Sequence, residues 1–304
     1  MTGDRPLLGI LLMTGFCVLA PMGDGIAKLL GGSIPVLQLV AIRFAIQAAV
    51  LVPLVWLTGR TLAMAPRYLA FTALRTVLHI AGIGAMFLSL RYLPLADAIA
   101  IAFVMPFIML LLGRVVLGEE VGGRRLAACA VGFAGTLMVV QPSFAAVGRP
   151  ALLPLLVAVV FALFILVTRH IAKATEPVAL QAVSGVMATG LLLPLFVLGA
   201  AFDGPVFAAV SPSGSDWALL AALGLLGTVA HLLMTWSLRF APAATLAPMQ
   251  YLEIPVATAI GWLIFRDFPN GLALAGILLT VAAGLYVIAR ERSLSRAAAP
   301  APLA

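Results

Sequence analysis

Between Leu7 and Ala289 the chain is built of apolar runs. Most are as long as the ~20 residues that a helix needs to cross the hydrocarbon of a bilayer. A water-soluble domain covers its core with charge and carries roughly 25% charged residues. Here 10% of residues are charged, 63% are hydrophobic and the mean hydropathy is +1.18. That is too little charge to coat a surface, so lipid must cover it. A membrane β-barrel would need short segments of alternating polarity, and no segment alternates. The chain reads as an all-α integral membrane protein embedded in the lipid bilayer.

Charges, prolines and glycines divide the chain into ten expected spans. They are Leu7–Leu30, Pro35–Leu57, Tyr68–Leu90, Leu95–Leu117, Arg125–Gln141, Ala151–Val167, Val178–Ala201, Trp217–Leu238, Ala243–Phe265 and Gly271–Ala289. The fifth and sixth are the shortest. The first is too long for the apolar part of a signal peptide and lacks a small-residue cleavage site, so it reads as a retained span.

Lys and Arg set the orientation, because they are retained on the cytoplasmic side. With the N-terminus inside, Arg5, Arg60, Arg67, Arg114, Arg124, Arg125, Arg169, Lys173, Arg239, Arg290, Arg292 and Arg296 fall inside. Lys28, Arg91, Arg149 and Arg266 fall outside. Both termini are therefore expected in the cytoplasm, with residues 291–304 a disordered tail. The net charge of +7 is then a topological signal. The basic residues are scattered over short loops without an aromatic-interleaved face, which argues against nucleic acid as a partner.

The chain also repeats itself. Ser89-Leu90-Arg91-Tyr92-Leu93-Pro94-Leu95-Ala96 returns as Ser237-Leu238-Arg239-Phe240-Ala241-Pro242-Ala243-Ala244. At the same offset Gly113 matches Gly261 and Glu119 matches Asp267. Five spans is an odd number, so the second copy enters the membrane from the opposite side. The expected architecture is two inverted five-helix repeats, residues 1–142 and 150–290, with a site between them.

The run from Arg91 to Ala98, with Pro106, Leu117-Gly118-Glu119-Glu120, Arg124, and Gly132 through Gly135 to Pro142, resembles the EamA family of the drug/metabolite transporter superfamily. So does the second copy, from Arg239-Phe240-Ala241-Pro242 through Pro255 to Asp267. The resemblance implies a secondary carrier in the bacterial inner membrane. Its substrate would be a small metabolite, an amino acid or related compound, and its direction export. Uptake of a metabolite or vitamin on the same fold is the alternative, and a channel a more distant one. The copies differ where Asp97 becomes Thr245 and where the pair Glu119-Glu120 becomes Arg266-Asp267.

Ionisable groups at the bilayer centre cost about 2.5–3.5 kcal/mol on insertion scales, so each needs a partner, a wet cavity or a route to the surface. Glu253 lies near the middle of the ninth span, with Gln250 one turn back and Pro255 two residues on. It could titrate, contact substrate, or pair with Arg43 or Arg75. Arg43 shares a helix face with Gln47, and Arg75 with His79. Arg43 faces a cavity or another helix; Arg75 either does the same or snorkels to the cytoplasmic headgroups. Asp24 follows a Pro21-Met22-Gly23 break of the kind found at transporter sites, yet it could simply pair with Lys28. Thr228, His231 and Thr235 form a stripe suited to inter-helix hydrogen bonds or to ligand. Phe103, Met105, Tyr251 and Trp236 are candidate walls. Glu119 and Glu120, beside Arg114, Arg124 and Arg125, would tie two spans by salt bridges or latch the inner face.

Cys17 and Cys129 sit in apolar runs, and the three histidines are scattered, so no metal-ligand spacing exists. Neither a phosphate-binding loop nor a Gly-x-Ser-x-Gly elbow occurs, which leaves no expected cofactor or enzyme activity. The expected partners are a small-molecule substrate and protons; a homodimer is compatible with the sequence.

Overall fold

The computed structural model describes residues 5–116, 123–199 and 209–297, and every regular element among them is a helix. The order is α1 (Pro6–Leu30), α2 (Val36–Leu57), α3 (Pro66–Ser89), α4 (Leu95–Ala102), α5 (Met105–Val116), α6 (Gly123–Val147), α7 (Leu153–Ala172), α8 (Pro177–Gly199), α9 (Gly214–Phe240), α10 (Ala243–Leu246), α11 (Glu253–Ile260) and α12 (Gly271–Ala297). Eight stretches are long and apolar enough to cross a membrane, counting α4 and α5 together. Met249–Phe265 and Gly271–Tyr286 are shorter apolar helical stretches.

Helix ends follow local chemistry. Pro6 and Pro66 start helices because a missing N–H costs nothing in the first turn. Ser213 and Asp216 form a reciprocal capping box ahead of α9. Two expected edges shift. The fifth span runs on past Gln141 to Val147 with Pro142 inside the helix, and the sixth is entered through a 3₁₀ turn at Arg149–Leu152 and continues to Ala172. The expected tail is helical as far as Ala297, because Glu291 to Ala297 contains no helix breaker.

The fourth and ninth expected spans are interrupted. Phe103 and Val104 form a turn between α4 and α5, just before Pro106. In the ninth, a 3₁₀ stretch, Ala247–Leu252, separates α10 from α11, just before Pro255. A proline removes one backbone donor and clashes with the preceding turn, so both breaks have a local cause.

The principal packing pairs are α1 with α9, α3 with α7, α2 with α8 and α6 with α12. The last pair is a small-residue contact. A Cβ on Gly276 would run into the Gly135 carbonyl oxygen, and Thr280 Oγ1 donates across the helices to the Gly132 carbonyl at 3.2 Å. Because backbone rather than a flexible side chain blocks the space, Gly276→Leu is expected to cost about 1–3 kcal/mol. It would be read as a lowered unfolding temperature in detergent; an unchanged one would show that the helices can part freely.

Candidate functional site

A narrow cavity lies where α1, α2, α3, α7 and α9 meet the two interrupted stretches, α4–α5 and α10–α11. It holds about 80 Å³ of free space. A typical ligand site holds roughly 300–1,000 Å³, so the walls must move before a metabolite can enter. Phe16, Phe87, Phe103 and Phe161 contribute aromatic wall, with Met86, Met105 and Met234 between them. Five polar side chains line this surface: Asp24, Arg43, His231, Gln250 and Glu253.

Arg43 is 2% exposed, and its guanidinium stands 4.7 Å from the centroid of the Phe44 ring. Gly227 of α9 makes room for it, since a Cβ there would stand 2.8 Å from the Arg43 Nε. Among the described residues, both Nη1 and Nη2 lack a protein hydrogen-bond partner. The same is true of both amide atoms of Gln250 and of Glu253 Oε1. Buried polar atoms are nearly always paired, so a group of unpaired ones lining one cavity marks a surface kept for a guest or for water. The break before α11 explains the placement: the 3₁₀ stretch carries Gln250 and the first turn of α11 carries Glu253. Among the described residues Glu253 forms no ion pair with Arg43 or Arg75.

Beside the cavity lies a hydrogen-bonded polar layer, in which only Gln47 Oε1 and the Nδ1 atoms of His79 and His231 lack a partner among the described residues. Arg75 does not snorkel. It is 0% exposed and donates to Thr168 Oγ1 at 2.8 Å, Ser184 Oγ at 2.8 Å and Thr235 Oγ1 at 3.4 Å, with its guanidinium 4.6 Å from the Phe164 ring centroid. Gln181 donates to the His231 carbonyl at 2.8 Å and to Thr235 Oγ1 at 2.9 Å. Gln47 donates to the Gln181 carbonyl at 2.8 Å. His79 and His231 face each other with Nε2 atoms 3.2 Å apart, a distance that requires one nitrogen to donate and the other to accept. This layer ties α2, α3, α7, α8 and α9 together, so Gln47, Arg75 and His79 support the site from behind.

Asp24 does not pair with Lys28. Lys28 reaches Asp267 instead, at 3.3 Å, and Asp24 turns to the cavity. Tyr251 is buried behind Phe103, ring centroids 5.4 Å apart, and does not line the cavity. Trp236 packs beside a separate cluster that includes Leu51 and Val178. Glu119 and Glu120 lie outside the described residues, as do the side chains of Arg124 and Arg125. Phe16, Phe87 and Phe161, and the Thr168 and Ser184 hydroxyls beside Arg75, have no signal in the sequence that separates them from ordinary core, whereas Thr235 belongs to the polar stripe expected to hydrogen-bond between helices.

The arrangement can bind a small molecule. The Cys17 thiol donates to the Met249 carbonyl at 3.4 Å. A bundle of membrane-length apolar helices around a narrow, polar-studded cavity defines an integral membrane transporter. More particularly, the chain belongs to the EamA-like transporter family, which it matches over residues 7–141 and again over 149–290. It is 33% identical over 220 residues to a riboflavin transporter of Rhizobium johnstonii, covering 71% of this chain and 69% of that one. It is 23% identical over 275 residues to an S-adenosylmethionine uptake transporter of Rickettsia prowazekii, covering 90% of each. A solved crystal structure with 18% identity superimposes with a TM-score of 0.68 over 95% of this chain and 98% of that one, a likeness of fold.

Proposed function

We propose that the chain is a secondary active transporter that moves a small metabolite across the bacterial inner membrane by alternating access. The observation that carries this reading is the narrow internal cavity, where Arg43, Gln250 and Glu253 present polar atoms unpaired among the described residues. Discontinuous helices at the midplane supply binding groups in many carriers.

The proposed frame is ten spans in two inverted five-helix repeats, with both termini in the cytoplasm. The packing pairs support it. Exchanging each span with the one five places on turns the α1–α9 pair into α7–α3, and returns α2–α8 and α6–α12 onto themselves. The matched arginines behave alike. Arg91 donates to the Ile34 carbonyl between α1 and α2 at 3.1 Å, and Arg239 to the Thr175 carbonyl between α7 and α8 at 3.3 Å.

Glu253 is the proposed coupling group for protons and Arg43 the anchor for an electron-rich edge of the substrate. The aromatic walls suit a flat ring system. Export is the direction implied by the sequence resemblance. Uptake is a second reading, favoured by the likeness to the S-adenosylmethionine uptake transporter. Purified protein in liposomes is expected to give saturable counterflow of labelled riboflavin, S-adenosylmethionine or an amino acid. Flux in right-side-out and inside-out vesicles separates the two directions. Single-channel currents in place of saturable flux would overturn the carrier reading.

A further inference from the structure

We propose that Lys28 and Asp267 form a latch that closes the outer mouth of the cavity, an inference that rests on the carrier reading of that cavity. Lys28, in the last turn of α1, donates from Nζ to the Leu93 carbonyl at 2.7 Å and to Asp267 Oδ2 at 3.3 Å. Its ammonium also stands 5.1 Å from the centroid of the Phe265 ring. One cation thus joins α1, the turn before α4 and the segment between α11 and α12.

The position is that of a closure. One turn before Lys28 on the same helix face, Asp24 lines the cavity. Lys28 and Asp267 themselves line an open depression at that end of the bundle. The pair therefore stands between the depression and the cavity. Asp267 has a side chain 38% exposed, so solvent and salt reach the pair at one edge.

The segment that presents Asp267 is unusual in backbone. Gly261–Phe265 is a π-helical turn, and Arg266 follows in the left-handed region at φ 59. Asp267 N–H then donates back to the Gly261 carbonyl at 3.2 Å. Widened turns and left-handed non-glycine residues persist only where their surroundings hold them, and they concentrate at moving or binding segments. Here the Lys28 contact is one such restraint. A carbonyl clasp recurs in the second half, where Arg169, near the end of α7, donates to the Leu238 carbonyl. At the Lys28 mouth the clasp also holds a carboxylate, whose attraction to Lys28 can be screened and released.

The test is an accessibility measurement. In a Cys17→Ala, Cys129→Ala background, Ala102→Cys places a thiol on the cavity wall. Its labelling by a membrane-impermeant maleimide is followed in right-side-out vesicles without substrate. Lys28→Gln and Asp267→Asn are each expected to raise the labelling rate several-fold, and the swap Lys28→Asp with Asp267→Lys to restore it. Raising salt from about 0.1 M to 1 M is expected to speed labelling with the pair intact and to leave both single variants unchanged. This arm needs no latch substitution to fold. Flat labelling in both single variants, or no salt response with the pair intact, would overturn the latch. Faster labelling in Lys28→Gln but not in Asp267→Asn would also overturn it, because the Leu93 contact alone would then be the closure. Saturable flux with flat labelling sinks only the latch; a full latch signature without flux sinks only the carrier reading.

Discussion

Arg43→Met is expected to lower substrate flux by about 100-fold while the protein stays folded and unfolds at an equal or higher temperature. The two halves of this result have one cause. Arg43 is buried, yet neither terminal nitrogen has a protein partner among the described residues. Attraction to Asp24 on the same cavity offsets part of the cost of burying this charge, and replacing it with an apolar side chain of similar length removes the remainder. The cost persists because the guanidinium is needed. Charge-assisted hydrogen bonds to a bound ligand contribute about 1.5–3 kcal/mol each, and two of them account for a factor of 100 or more. Counterflow and thermal unfolding on the same preparation decide the matter. Retained flux would remove Arg43 from the site. Lost flux with a sharply lowered unfolding temperature would make it a strut, as Arg75 is.

That contrast was only half legible in sequence. Arg43 and Arg75 look alike there: each is an arginine within an apolar span, four residues before a polar partner. What separates them comes from distant parts of the chain. The hydroxyls that satisfy Arg75 stand on α7, α8 and α9, and the glycine that clears space for Arg43 stands on α9. Hydropathy fixes where helices run, because burial in lipid is a property of the segment itself. It does not fix rotation about the helix axis when almost every face is apolar. Tyr251 and Phe103 illustrate the limit. Both are aromatic residues in interrupted spans, but Phe103 faces the cavity and Tyr251 packs toward Gly132 and Gly284.

Breaks and local pairings show the same division. Pro106 and Pro255 stand just after interruptions of the fourth and ninth expected spans, whereas the break expected at Pro21-Met22-Gly23 is absent, because α1 runs on through Pro21. The spacing of Asp24 and Lys28 suggested a local ion pair on one face of α1. A competitor from the other end of the chain, Asp267, takes Lys28 instead. Local spacing sets which groups can meet, and the tertiary fold sets which do.

The second large effect is expected at Glu253, where the glutamine variant separates binding from coupling. Glu253→Gln keeps the size and hydrogen-bonding reach of the side chain but can neither take up nor release a proton. If Glu253 carries the coupling proton, the variant should still exchange labelled for unlabelled substrate at equal concentration. It should lose accumulation driven by a pH gradient by about 100-fold, and its exchange rate should be flat across about pH 5 to 8. The wild-type rate should vary with pH, because its carboxyl must be protonated in one part of the cycle and ionised in another. Glu253 starts α11 directly after the 3₁₀ stretch, so a change in its charge acts on the least regular part of the ninth expected span. Accumulation by the variant with wild-type pH dependence would transfer the coupling role to Asp24, the other carboxylate on the same cavity. Loss of both exchange and accumulation in a folded variant would make Glu253 a substrate ligand instead.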